Sequence, residues 1–470
     1  MRRTGIFGIS AITAVALLGF AMTAVSAPAG AQTYTDLYNF GSNSGDPLNP
    51  QAPGIIAQGR DGNLYSTTPN GGANGVGAVF RITPDGTLTV LYSFDEAHGV
   101  QPYGGLTLGT DGNFYGTTSG GYSGLGTIFK ITPSGRLKVL HSFTGSDGKS
   151  PIAPPIQGSD GYFYGTTKFG GAGGTGTVYK LAPSGTLTTL YQFDAASGEC
   201  IVPLVEGTDG NFYGTTLLGG ANGRGSIFEI SPKGKLRVLQ SFGKVKGENA
   251  QGPLIQGDDG EFYGTTTLAG STKRGGTIFS LSGRTLTVLR NFNDYAAYPP
   301  VGGLVQGTDG NFYGSTPISN KSRGAGILYQ INPQGDFSVL YRFEPSTGSS
   351  PQVTLLNHTN GVLYGDTPGG GDGTACNGNG CGVFYSFDAG LAPFAGLVTG
   401  TGKVGKTIGI LGQGLTGTTS VSFNGTAANF TVESDTFLEA TIPPGATTGY
   451  VTVTTPGGTL TSNKQFIVKP

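Results

Sequence analysis

Charge is scarce in this chain. Asp, Glu, Lys and Arg together make up 12% of 470 residues, the formal net charge is −1, and no basic block occurs. Binding driven by nucleic-acid phosphates therefore has no electrostatic support. Histidine is almost missing: His98, His141 and His358 stand in non-equivalent places, too few for a histidine-rich metal set. Cysteine is limited to Cys200, Cys376 and Cys381. The last two, with four residues between them in a Gly/Asn loop, read as a local disulfide in an exported protein. A zinc site is the rival reading, but two thiols without nearby His or further Cys do not complete a tetrahedron. Cys200 reads as a small half-buried residue and not as a nucleophile. No metal and no cofactor is expected.

Glycine, by contrast, is abundant, with 87 residues. The glycines recur in register between alternating Val, Ile, Phe, Tyr and Thr, the pattern of many short strands joined by tight turns. Residues 1–31 differ. Arg2 and Arg3 precede an apolar run over residues 6–25, and small residues follow as far as Ala31. That order is the order of a secretory signal, and cleavage is expected after Ala31 because Ala29 and Ala31 give the small-x-small pattern. A retained anchor is the alternative, since the run could almost span a bilayer. With the segment removed, two arginines and no acid are lost, leaving a net charge of −3 and no membrane span. The expected product is a secreted, periplasmic or extracellular monomer.

The chain is organised around Asp111-Gly112-Asn113-Phe114-Tyr115-Gly116-Thr117-Thr118, with copies beginning at Asp61, Asp160, Asp209, Asp259, Asp309 and, degraded, Asn360. A period near 50 residues with strand-like contents indicates a repeat architecture. One unit, residues 104–143, reads as four short antiparallel strands, which is the blade of a β-propeller. The fourth-strand pattern ends in Phe at Phe94, Phe143, Phe193, Phe242, Phe292 and Phe343, and the seventh unit lacks it. Residues 34–40 supply the missing copy at the other end, with Leu37 at the position of Leu140. The fold expected for residues 33–388 is thus a seven-bladed β-propeller whose last blade is completed by the N-terminal strand, leaving no open edge.

These residues resemble the GloVer (Gloeobacter/Verrucomicrobia-type) tandem repeat family of exported bacterial proteins, through G-x-D-G-N-F-Y-G-T-T, then G-G-x-x-x-x-G, then G-T-I-F-K-I-T-P-S-G. The resemblance implies export and a propeller, and implies no established enzymatic activity. Ser66 for Gly, Asp366 for Thr and the Ser282-Gly283-Arg284 turn without Pro depart from the pattern and put the regularity of three blades in doubt.

The period ends near Ala389. Residues 391–470 alternate as strands around Ile408, Val421, Leu438 and Val451, with turns at Pro443-Pro444 and Pro456-Gly457-Gly458. They read as an Ig-like β-sandwich and resemble an IPT/TIG domain, which implies a spacer or binding module. Its only basic residues are Lys403, Lys406, Lys464 and Lys469, which disfavours the DNA-contacting version.

Chemistry is harder to place. The repeated Asp-Gly pairs read as hairpin devices, Asp accepting local backbone hydrogen bonds and Gly taking positive φ. Three residues before each turn stand Gln58, Leu108, Gln157, Glu206, Gln256, Gln306 and Asn357, a candidate polar collar around the channel. Glu206 is the one acid among them, and no repeated partner is evident for it. Loops between second and third strands, and between fourth strands and the next unit, are long and divergent and must share one face. Tyr103, Tyr122, Phe169, Lys273, Arg274, Tyr295, Tyr298, Lys321 and Arg323 on them are candidate contacts to a glycan or surface protein. The function expected is a non-enzymatic binding or scaffold protein. The alternative is a hydrolase or lyase acting at the channel mouth, which a tight cluster of Asp, Glu or His there would favour.

Overall fold

The computed structural model describes residues 32–51, 54–121, 124–268, 275–292, 299–317, 324–372, 376, 378 and 380–469. The expected signal segment lies outside them. Apart from a 3-10 turn at Pro345–Thr347, every regular element among the described residues is a strand.

Seven four-stranded antiparallel sheets follow the repeat. In one unit the strands are Thr107–Leu108, Phe114–Thr118, Thr127–Ile131 and Leu137–Ser142, paired in sequence order. Burial changes from strand to strand. All five residues of Phe114–Thr118 are buried, while Leu137–Ser142 is half-buried to exposed and forms the outer edge. A second strand buried on both faces needs small or apolar residues throughout, and Phe-Tyr-Gly-Thr-Thr supplies them. Neighbouring sheets meet through aromatic pairs: Tyr65 on Phe114 at 4.0 Å between ring centroids, Tyr115 on Phe163 at 3.9 Å, Tyr164 on Phe212 at 3.9 Å. Such a pair contributes about 0.5–1.5 kcal/mol beyond its buried area.

The motif Asp holds both ends of this device. Asp111 accepts the Asn113 backbone N–H (3.1 Å) and the Tyr115 hydroxyl (2.9 Å). The same Tyr-to-Asp bond recurs at Asp61, Asp160, Asp209, Asp259 and Asp309. The hairpin carboxylate thus fixes the tyrosine that packs against the next sheet.

A second recurrent device joins the outer strands. Third and fourth strands slip by one residue, for example between Ile128 and Phe129, leaving Leu140 as a β-bulge. The turn glycine of the following sheet sits on the bulge carbonyl. A Cβ on Gly185 (φ 106°) would lie 2.7 Å from the Leu140 oxygen, and one on Gly135 (φ 88°) 2.6 Å from that of Leu91. No other residue combines that φ with that approach.

Thr33–Asn39 pairs antiparallel with Val383–Asp388, so the N-terminal strand and the last three repeat strands make one sheet. Its slip between Asp36 and Tyr38 leaves Leu37 as the bulge, and a Cβ on Gly86 in the first unit would lie 2.6 Å from the Leu37 oxygen. The last sheet is thereby packed on the first. All three departures from the motif leave a four-stranded sheet in place. Ser66 donates to the Ile55 carbonyl (3.2 Å), Gly283-Arg284 closes a tighter hairpin between Thr277–Ser282 and Thr285–Asn291, and the strand bearing Asp366 shortens to Leu363–Asp366.

Residues 391–469 fold around Ile410, Val421, Phe423, Leu438, Val451 and Phe466 between two further four-stranded sheets. A parallel pair, Thr401–Lys403 with Ile467–Lys469, closes one side. Cys376 and Cys381 are disulfide-bonded, with Cα atoms 5.4 Å apart. Cys200 is fully buried, more than the half-burial expected, among Val202, Leu204 and Phe228.

Candidate active site

The first-strand side chains work between sheets. The Thr110 backbone N–H donates to Gln157 Oε1 of the next sheet (2.8 Å), Thr208 N–H to Gln256 (3.0 Å), Asp258 N–H to Gln306 (3.1 Å), and Thr359 N–H to Gln58 (3.1 Å). Gln157, Gln256 and Gln306 each donate in turn to the Gly carbonyl of their own hairpin, Gly161, Gly260 and Gly310. The collar amides are therefore satisfied as latches, each worth about 1 kcal/mol. Asn357, one methylene shorter, donates to the Gln306 carbonyl, and its Oδ1 has no partner. At Leu108 the latch is missing, and the Arg60 guanidinium reaches the Thr110 carbonyl instead (2.6 Å).

Glu206 departs from this pattern. Its Oε2 accepts the Ser159 N–H (2.8 Å), as a latch amide would. A carboxylate cannot also donate to a hairpin carbonyl, so its second oxygen is free for another donor, the Ser159 hydroxyl at 2.5 Å. The Lys469 ammonium, brought in by the last C-terminal strand, lies 2.5 Å from Ser159 Oγ and 3.8 Å from Glu206 Oε1. Glu206 is thus partnered, by Ser159 and by Lys469. Its partners are not repeated; they come from one hairpin and from residue 469.

The C-terminal segment reaches these hairpins because it is docked on their face. Thr436 donates to the Arg60 carbonyl (2.7 Å), the Arg60 guanidinium lies 4.2 Å from the Phe437 ring centroid, and Gln413 donates to Thr359 Oγ1 (3.0 Å). Between the docked segment and the hairpins lies a cavity of about 520 Å³. Ser159, Glu206, Asp258 and Lys464 line it, with Leu204, Val205, Val398 and Ile467 as the apolar part. Burial pushes the Asp258 carboxyl above its ordinary range, neighbouring Asp259 adds to this, and the Lys464 ammonium opposes it. Burial also pulls Lys464 below the usual lysine range.

Ser159, Asp258, Lys464 and Lys469 were not among the sequence candidates. A signal for one of them existed. The residue before the motif Asp, or before Asn360 in the last copy, is Arg60, Thr110, Ser159, Thr208, Asp258, Thr308 or Thr359, and Asp258 breaks an otherwise mostly hydroxyl series. Among the loop candidates, Tyr103 is half-buried, and Phe169 is exposed with the Lys168 ammonium 4.9 Å from its ring centroid. Tyr122, Lys273, Arg274, Tyr295, Tyr298, Lys321 and Arg323 lie outside the described residues. The histidines are dispersed: His98 pairs with Asp95 (2.7 Å), His141 with Asp147 (2.8 Å), and His358 is buried against the Gly62 carbonyl (2.9 Å).

The Gloeobacter/Verrucomicrobia repeat matches residues 23–157 and 120–322, well over half of the chain. The chain belongs to that repeat family. Nothing among curated proteins matches it. Among solved structures it is similar to a gluconolactonase of Xanthomonas campestris (11% identity, 74% of this chain and 99% of that one, TM-score 0.38). It is also similar to a periplasmic gluconolactonase of Pseudomonas aeruginosa (17%, 69% and 96%, TM-score 0.42) and to a putative 6-phosphogluconolactonase of Bacteroides uniformis (21%, 64% and 88%, TM-score 0.44). At these identities the likeness concerns the fold of this repeat-family member. The expectation of a non-enzymatic binding or scaffold protein is corrected all the same. The solved propellers it resembles carry the names of gluconolactonases, and the hydrolase-or-lyase alternative fits them better. No residue role is carried over from them. Among the described residues no helix is long and apolar enough to cross a membrane.

Proposed function

We propose that this chain is an exported hydrolase that cleaves an ester-type bond in the cavity between its repeat sheets and its C-terminal segment. In this reading the signal is removed after Ala31, residues 33–388 form a seven-bladed β-propeller closed by the N-terminal strand, and residues 391–470 form an IPT/TIG Ig-like domain. The seven repeat sheets and the Leu37–Gly86 contact between last and first support the ring. The two packed C-terminal sheets support the Ig-like assignment.

One observation carries the chemistry: Ser159 Oγ lies 2.5 Å from a carboxylate oxygen and 2.5 Å from an ammonium nitrogen, on the wall of a cavity. A serine hydroxyl is a weak nucleophile until a base within hydrogen-bond reach takes its proton. Glu206 is that base, and the Ser159 N–H holds its carboxylate in place. The Lys469 ammonium stabilises negative charge as it develops on oxygen. The test is labelling with a fluorophosphonate probe alongside hydrolysis of short-chain esters and sugar lactones by the secreted protein. Ser159 should carry the adduct, and Ser159→Ala and Glu206→Gln should each lower kcat/KM by about 10²–10⁴-fold. Undiminished turnover by Ser159→Ala refutes the assignment.

A further inference from the structure

One junction between repeat sheets is built differently from the others. At five junctions a turn glycine, Gly86, Gly135, Gly185, Gly234 or Gly335, presses on the bulge carbonyl of the neighbouring sheet. Each of those turns spends five residues between the paired strand ends, as between Ile131 and Leu137. Only four separate Leu281 from Leu286, where Gly283-Arg284 makes the turn. A Cβ on Gly283 would meet nothing within 4 Å, so the bulge at Leu239 of the preceding sheet is left without its turn. A groove of about 600 Å³ stands there instead. The aromatic pairs record the same opening. Tyr213 and Phe262, packed across this junction at 4.1 Å between ring centroids, are 8% and 7% exposed. The pairs Tyr65–Phe114, Tyr115–Phe163, Tyr164–Phe212 and Tyr263–Phe312 are exposed by 2% or less.

The groove has an apolar floor of Leu239, Phe262 and Leu281. From one sheet Glu229 and Arg237 enter as an ion pair, with the Asn211 amide on the carboxylate at 3.2 Å. The other sheet contributes exposed Arg284 and half-buried Glu261. Asp209 and Asp259 at the edge already accept the Tyr213 and Tyr263 hydroxyls. Acids thus outnumber the two arginines, which disfavours a polyanion, while donors and acceptors stand side by side. Such walls suit a neutral ligand rich in hydroxyl groups, each of which donates and accepts, with C–H faces to lie on the floor. The groove also borders the Ser159 cavity, since Thr208, Gln256, Asp259 and Gly260 line both. That cavity is roofed by the C-terminal segment, whereas the walls of the groove all come from the repeat sheets. A molecule held in both has one part under the roof and another continuing outside it.

Resting on the hydrolase reading above, we infer that this groove is a saccharide subsite and that the substrates are acyl esters of oligo- or polysaccharides. The esterified sugar stands at Ser159 and the next sugar lies in the groove. Its C–H face rests on Leu239 and Phe262, and its hydroxyls meet the Glu229–Arg237 pair and Arg284. Ester plus water gives a carboxylic acid and a free sugar hydroxyl, with the saccharide chain intact.

The experiment measures kcat/KM of the full-length protein on O-acetylated glucose, xylose and N-acetylglucosamine oligomers of one to four units, and on p-nitrophenyl acetate. The wild type should gain about tenfold between one unit and two, chiefly through KM, as one or two hydrogen bonds in the groove would give. Replacing residues 282–285 with the five-residue turn 132–136 fills the groove as at the other junctions. It should erase that gain without lowering the melting temperature. Arg284→Ala, which keeps the turn length, should cut the gain about threefold and serves if the graft does not fold. Wild-type activity confined to p-nitrophenyl acetate or independent of saccharide length, or a gain that survives both changes, overturns the inference and leaves the hydrolase reading standing. A wild type inactive on every ester overturns both.

Discussion

Asp366 offers the sharpest test of how the repeat manages polar groups in its interior. In the other sheets this position holds Thr or Ser, and five of those six hydroxyls donate to a carbonyl of the adjoining sheet, as Thr67 does to Pro102 (2.7 Å) and Thr265 to Gly302 (3.0 Å). Asp366 is fully buried, neither of its oxygens has a partner, and burial pushes its carboxyl up to about 8. The unfolded chain binds that proton only below about pH 4. Below that value both states are protonated and the group costs nothing by ionisation. As pH rises the unfolded state ionises while the folded state does not, so stability falls by about 1.4 kcal/mol per pH unit until the folded carboxyl ionises near pH 8. At pH 7 the cost is about 4 kcal/mol. Asp366→Thr removes it and restores a hydroxyl that can donate as its equivalents do, adding about 1 kcal/mol. Urea unfolding of both proteins from pH 4 to 8.5 should show the variant more stable by several kcal/mol at pH 7, with the gap closing toward pH 4. A gap that does not change with pH, or a less stable variant, refutes this account of Asp366.

Two further perturbations address closure and the free thiol. Tyr34 stacks on Tyr341 at 4.0 Å and donates to the Thr347 carbonyl (2.6 Å), so Tyr34→Ala should lower stability by about 3 kcal/mol. Hydrogen exchange should quicken in Val383–Asp388, and an unchanged melting temperature would sink the closure argument. Burial pushes the Cys200 thiol up to about 11, so it should resist a thiol reagent at pH 8 in the native protein and react as a single equivalent once denatured. Rapid native labelling would contradict its placement in the core.

Sequence reasoning reached the scaffold because the scaffold repeats. A residue type that recurs every 50 positions must answer a local demand, and Asp111 answered it through bonds two and four residues away. The bulge at Leu140 was legible only as a spacing shared with Leu37. The reason for that spacing, a glycine of the next sheet pressed on the bulge carbonyl, needed coordinates. The first-strand amides stood out in the sequence, but the bonds they make between sheets did not. Gln157 looks like channel lining in one dimension, because nothing in the sequence says that the Thr110 N–H of the preceding sheet points at it.

The set proposed for catalysis failed to appear for a related reason. Ser159, Glu206 and Lys469 come from two different repeats and from the C-terminal segment, with the serine and the lysine 310 positions apart. Periodicity treats such residues as noise around the motif. Yet the latch geometry explains why the site stands where it does. The latch at Gln157, Gln256 and Gln306 uses one acceptor for the neighbouring N–H and one donor for its own hairpin, and Gln supplies both. Replacing it with Glu keeps the acceptor and forfeits the donor, leaving a carboxylate oxygen on the cavity wall that must find a proton donor from elsewhere. Ser159 and Lys469 are what it finds. A single departure from the repeat thus turns a structural latch into a charged centre, and the docked C-terminal segment supplies both its counter-charge and the roof of its cavity.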